Sequence, residues 1–208
     1  MKLFFHYCLY GFSNCYVLGS EEPGEEGVKD ALIVDPGCMD EKLLGFIESN
    51  DYRLRGILIT HDHLNHVHGL RTLKRIYHVP VFAGDPSVCE SRANLVRDGE
   101  TLNLGPFSVG VYSVPGHSSD SVVFRIERLL FTGDALSAGL IGSTASAYGK
   151  TILANSLKDK ILSLQGDLIV LPGHGPPSSL EAERRFNVGL TAAERADIQR
   201  AALVREIW

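Results

Sequence analysis

The chain has 208 residues and a formal net charge of −5, with 44% hydrophobic and 22% charged residues. That is length and core material for one domain over residues 1–208 rather than two, and the acidic balance leaves no basic stripe for nucleic acid. No apolar run is long enough to cross a membrane, so the expected partner is a small-molecule substrate, and the oligomeric state stays open.

Met1-Lys2-Leu3-Phe4-Phe5 has the look of a signal peptide, but His6 breaks the apolar run and no small-residue cleavage site follows. The segment reads instead as a first strand, Leu3–Leu9, and the protein is expected in the cytoplasm. Strands Cys15–Leu18 and Ala31–Val34 follow, separated by a Glu/Gly/Pro stretch that reads as exposed loop. Leu44 and Ile47 give Glu41–Ser49 helical spacing, and Gly56–Thr60 is a buried strand. Val67, Leu70 and Leu73, with Ile76 or Tyr77, form one face of a helix, and Val79–Phe82 is a strand. A polar stretch, Ser87–Asp98, precedes paired strands through Leu102–Val114. Val122–Ile126 and Arg128–Thr132 suggest a hairpin, Ile152–Leu164 a helix and Leu168–Leu171 a strand. Short helices at about 178–207 close the chain, with Arg184, Arg185 and Arg195 on a solvated face. The class is α/β.

Four cysteines, Cys8, Cys15, Cys38 and Cys89, form no CxxC pair and show no metal-type spacing; they read as buried or free thiols. The histidines are different. Thr60-His61-Asp62-His63-Leu64-Asn65-His66 follows a buried strand, and His61 and His63 can aim two imidazoles at one ion. Asn65 and His66 come where the chain turns helical, which suits them to an adjacent ion. Asp62, one position from each histidine, should face the other way. His117, Asp134 and His174 each occupy a short Gly-marked turn after an apolar run: Pro115-Gly116-His117, Thr132-Gly133-Asp134-Ala135 and Pro172-Gly173-His174-Gly175. Imidazoles and a carboxylate delivered by strand ends are what a zinc or iron site needs. His68 and His78 lie outside this spacing and read as surface residues, and His6 as a strand residue. Ser118, Ser119, Asp120 and Ser121 either touch substrate or form a hydrogen-bonded turn.

The order HxHx(D/N)H, GH, GDA, GHG resembles the metallo-β-lactamase-fold hydrolases, above all their glyoxalase II-like branch. The similarity runs from Ser13-Asn14-Cys15-Tyr16 and Val34-Asp35-Pro36-Gly37 to Gly173-His174-Gly175-Pro176. It implies a four-layer αββα sandwich with the metals at one edge. It also implies that His61, His63 and His117 bind a first metal and His66 and His174 a second, with Asp134 bridging. The implied cofactor is zinc, one or two ions per chain, with iron or manganese as alternatives. Hydroxide formed on the metals would attack a thioester or other activated ester.

One departure stands out. The family usually has Asp where this chain has Asn65, and an amide is a neutral, weaker ligand and a poor proton acceptor. The second site is therefore expected to be weak, with Asn65 helping to position the water. Asp35 and Thr60 resemble supporting positions behind the metals, although a capping or turn role fits both equally. The Gly/Ala/Ser-rich segment Ser137–Lys150 reads either as a flexible cover over substrate, offering Tyr148 and Lys150, or as a plain connector. Two other readings stay open: an iron persulfide dioxygenase using His61, His117 and Asp134, and a metal-binding protein with impaired catalysis.

Overall fold

The computed structural model describes residues 1–24, 26–191, 195 and 198. Two six-stranded sheets dominate it. The first runs, in spatial order, Lys2–Cys8, Ser13–Gly19, Lys29–Val34, Tyr52–Ile59, Val81–Ala83 and Asn94–Leu95. The second runs Ser178–Ser179, Ile169–Pro172, Leu129–Gly133, Val122–Ile126, Phe107–Ser113 and Thr101–Leu104.

Strand alternation explains why the sheets stack. Tyr16, Leu18, Leu32, Val34 and Leu58 on the first sheet meet Phe107, Val109, Val111, Phe124 and Phe131 on the second, in one buried cluster. Their neighbours point the other way. Cys15, Val17, Ala31, Ile33 and Ile57 pack under Leu43 and Ile47 of the helix Glu41–Ser49 and under Val67, Leu70 and Leu73. On the far side, Val123, Leu130 and Val170 pack against Leu153, Leu157 and Ile161 of the helix Ala147–Ser156 and its continuation. Helix, sheet, sheet, helix is the expected four-layer order, and central strands buried on both faces read as unbroken apolar runs.

Several expectations need correction. The helix expected over Ile152–Leu164 begins at Ala147, because the Ser146 side chain accepts the Gly149 N–H as an N-cap. It passes through a wider turn at Leu157–Ile161, where the Leu162 N–H reaches the Leu157 carbonyl. The single apolar face over Val67–Tyr77 is two short helices, Leu64–Val67 and Leu70–Ile76. The polar stretch Ser87–Asp98 contributes Asn94–Leu95 as an edge strand. Arg184 does not belong to a solvated face: it is buried and donates to the carbonyls of Leu162, Leu164 and Gly166. Of the closing helices the structure gives Leu180–Phe186; the second lies outside the described residues. Among the described residues no helix is long and apolar enough to cross a membrane.

Candidate metal centre

Four of the candidate donors follow the ends of strands, and His63 and His66 lie at the cap and within the short helix Leu64–Val67. His61 follows Tyr52–Ile59, His117 follows Phe107–Ser113, and His174 follows Ile169–Pro172, whereas Asp134 directly follows Leu129–Gly133. Cross-links between the sheets hold these ends together. The Val122 N–H donates to the Thr60 carbonyl at 2.8 Å. Fully buried Asn14 donates its amide to the carbonyls of Pro172 and Gly175 at 2.9 and 2.8 Å, and the Tyr16 hydroxyl reaches Pro172 at 2.7 Å.

Two donor groups result. In the first, His61 Nε2 and His117 Nε2 lie 2.9 and 3.0 Å from His63 Nδ1, and Asp134 joins these three histidines. In the second, His66 Nε2 lies 3.3 Å from Asp134 Oδ1 and His174 Nε2 3.6 Å from Asp134 Oδ2. Asp134 is common to both. His66 Nε2 and Asp134 Oδ1 are buried and neither has a hydrogen-bond partner outside the pair. Without metal, a proton on His66 pairs these two atoms across 3.3 Å; a shared cation is the other partner both would accept. Borderline imidazole donors with one carboxylate suit zinc, iron or manganese.

The far side of each ring decides which nitrogen is free. His117 Nδ1 donates to the Ser143 carbonyl at 2.8 Å and His174 Nδ1 to the Phe12 carbonyl at 2.9 Å. His66 Nδ1 donates to Asp35 Oδ2 at 3.1 Å. His61 Nδ1 lies 3.1 Å from Thr60 Oγ1, whose own proton goes to Asp35 Oδ2 at 2.7 Å. Four rings thus spend Nδ1–H on an oxygen and turn Nε2 toward Asp134, as the nitrogen each would offer a metal. Asp35 adds a bond from the Thr60 N–H at 2.8 Å and holds a left-handed backbone, φ 50°. Asn tolerates that backbone. Asp35→Asn is therefore expected to fold and to weaken metal binding about 10–100-fold; metal retention equal to the parent under dialysis would exclude a supporting role.

Two glycines make room. A β-carbon on Gly173 would lie 2.4 Å from His66 Cε1 and 2.5 Å from Asp134 Oδ1; one on Gly133, at φ 49°, would lie 2.3 Å from Thr60 Oγ1. This is why both turns carry glycine before the donor.

Electrostatics without metal follow from burial. His61 is pushed down to about 3, by burial first and the charge of His66 next. His63 is lowered by burial and then by His117. Burial also opposes a charge on His66, but Asp134 and Asp35 outweigh it and hold it up at about 10. Burial works against the Asp134 carboxylate too, yet His66 foremost, then His61 and His174, keep it well below the usual carboxylate range. In the metal-stripped chain the His66 ring is expected to stay protonated at pH 8 while His61 is neutral. The stability His66 supplies is complete below its ordinary 6.5 and disappears as pH rises through about 10. Imidazole ¹⁵N shifts report this directly, and a neutral His66 ring at pH 8 would contradict it.

The other expected residues separate cleanly. Asn65 Nδ2 donates to His174 Nε2 at 2.8 Å, on the nitrogen that faces Asp134. Asp62 faces away and accepts the Cys89 N–H at 3.1 Å. Ser118 and Ser121 hydroxyls lie 2.6 Å apart, a hydrogen-bonded turn. His68 stacks on Tyr10 and His78 is exposed. Tyr148 and Lys150 are exposed on the first turn of the helix Ala147–Ser156, not on a loop. The carbonyls of Phe12 and Ser143 were not foreseen, since a backbone acceptor leaves no mark in the residue type.

A family model described as Metallo-beta-lactamase superfamily matches residues 10–174. An uncharacterized protein of Mycobacterium tuberculosis is 33% identical, with 88% of this chain and 94% of that protein covered. The hydroxyacylglutathione hydrolase GloC of Haemophilus influenzae is 30% identical, with 84% and 91% covered. Among solved structures, the BLEG-1 B3 metallo-beta-lactamase superposes with a TM-score of 0.79 at 28% identity, covering 92% of this chain and 100% of that one.

Proposed function

Since the chain belongs to the metallo-beta-lactamase superfamily, we propose that it is a metal-dependent hydrolase cleaving a thioester or other activated ester. One observation carries the dinuclear form of this reading: two groups of donors share Asp134, whose buried Oδ1 and the buried His66 Nε2 have no third group to bond. His61, His63 and His117 would hold a first ion, and His66 and His174 a second. Asp134 would serve both, and Asn65 would be a weak neutral donor. When bound, divalent ions, zinc first and iron or manganese as alternatives, supply hydroxide at neutral pH and polarise the substrate carbonyl.

The chain's own residues set the geometry of that attack. Asp35, Thr60, Ser143 and Phe12 hold four rings in one tautomer, so the donors are in place before substrate arrives. The Asn65 amide can orient a water by hydrogen bonding but cannot take its proton. Substrate would approach past exposed His63 and half-buried His174, with Tyr148 and Lys150 as outlying contacts. The Haemophilus influenzae relative supports a thioester as the first substrate class to try.

The test is elemental analysis of protein purified without chelators, followed by turnover of a thioester, an ester and a β-lactam panel. Close to two metal equivalents with thioester turnover is the expected result. Exclusive β-lactam turnover would replace the proposed substrate class, and no turnover with any metal would leave a metal-binding protein with impaired catalysis. A second reading draws on the Asn65 N–H that occupies His174 Nε2. It favours a single ion, and with iron at His61, His117 and Asp134 the activity would be persulfide oxidation. Oxygen uptake with a persulfide, and one iron per chain, would bring it to the front.

A further inference from the structure

Away from the His/Asp centre, the fold gathers three more donors that the sequence keeps apart. His6 and Cys8 are two residues apart on Lys2–Cys8 and so share one face of the first sheet. Cys38 arrives from the loop after Lys29–Val34 and places its Sγ 3.0 Å from Cys8 Sγ. One donor atom from each of His6, Cys8 and Cys38 lies within 4.8 Å of the others. Asp40 adds a carboxylate: Oδ1 caps the helix Glu41–Ser49 by accepting the Lys42 and Leu43 N–H groups. Its Oδ2 is left facing His6 Nε2 at 2.9 Å and Cys38 Sγ at 3.8 Å.

We propose that His6, Cys8 and Cys38 form a separate site for a thiophilic cation of the zinc class, with the Asp40 carboxylate on its open side. A tetrahedral zinc with Zn–S of about 2.3 Å and Zn–N of about 2.0 Å keeps its donors roughly 3.3–3.8 Å apart. The thiol pair therefore needs to open by less than an ångström to accept the ion. Thiolate and imidazole donors select zinc or copper(I) over magnesium, calcium or manganese, so the preference differs from that of the carboxylate-bridged centre. Access is built in: Cys8 is fully buried and His6 nearly so, whereas Cys38 is half-buried and the Asp40 side chain is 48% exposed. Both cysteines are free thiols. The ion would also pin the loop from Asp35 to Asp40, whose first residue orients His66 and Thr60. The site stands on its own residues and does not depend on the hydrolase reading.

Cobalt(II) distinguishes the two sites, because thiolate ligands give an intense near-ultraviolet charge-transfer band that imidazole and carboxylate ligands do not. Full-length chain, stripped of metal under reducing conditions, is titrated with cobalt(II) alone. The expected result is a thiolate band whose limiting amplitude corresponds to one thiolate-bound cobalt per chain, bleached by zinc, and lost in Cys38→Ser. The weak visible bands of the His/Asp centre should survive that substitution. Cys38 is at the rim, so this variant decides the matter even if Cys8→Ser fails to fold. No thiolate band at excess cobalt, a band unchanged in Cys38→Ser, or isolation of the parent chain with Cys8 and Cys38 joined as a disulfide would each overturn the proposal.

Discussion

Asp134→Asn is expected to empty both halves of the His/Asp centre and to lower hydrolysis by about three orders of magnitude or more. Asp134 is the carboxylate common to both donor groups. Its Oδ2 lies 3.8, 3.6 and 3.6 Å from the Nε2 atoms of His61, His117 and His174, and its Oδ1 3.3 Å from that of His66. An amide keeps the shape, so folding should survive. It removes the negative charge that offsets two dications and leaves one oxygen donor where there were two. Three decades correspond to about 4 kcal/mol of transition-state stabilisation, a reasonable share for a ligand that serves both ions. Elemental analysis and turnover are measured on the same preparation. Retention of two equivalents in the variant would show that Asp134 bridges nothing.

The second large effect runs in the opposite direction. Asn65→Asp is expected to tighten the second metal by about 10–100-fold, on the scale of a repaired metal surrounding, and to raise hydrolysis with it. In the parent chain the Asn65 N–H holds His174 Nε2, so binding there must first break a hydrogen bond. A carboxylate releases that nitrogen and adds a charged donor. The backbone is fixed for the exchange by the Ser13 hydroxyl, which donates to the Asn65 carbonyl at 2.5 Å. A second outcome has the opposite sign: without metal, a new carboxylate beside Asp134 adds like-charge repulsion and should lower stability. The variant should therefore melt below the parent when stripped and above it when loaded. Unchanged affinity for the second metal would sink the weak-site reading of Asn65.

Errors in the sequence reading have physical causes. Tyr148 and Lys150 looked like loop residues because Ala147–Thr151 carries Gly149 and no apolar period. The Ser146 cap and the packing of Leu153 and Leu157 start the helix regardless. Arg184 looked solvated because charge usually is; three backbone carbonyls of the turn at 162–166 supply its partners. Asn94–Leu95 was invisible as a strand because two residues carry no period, and pairing with Phe82 and Ala83 creates it.

The sequence by itself marked the candidate donors of the His/Asp centre and their order along the chain. His61, His63 and His66 share the segment after one strand, and His117, Asp134 and His174 each sit in a glycine turn after another, so residue type and local spacing mark them. It also marked Asn65 as the member expected to be weak, because the difference between an amide and a carboxylate is written in the residue. Tertiary structure alone decided which nitrogen each ring presents, since that depends on the carbonyls of Phe12 and Ser143 and on Asp35, 31 residues from His66. It alone decided that Cys8 and Cys38, 30 residues apart and without metal-type spacing, stand beside His6. Backbone acceptors are common to every residue, and contacts between distant strands exist only once the sheet has paired; neither has a local signature to read.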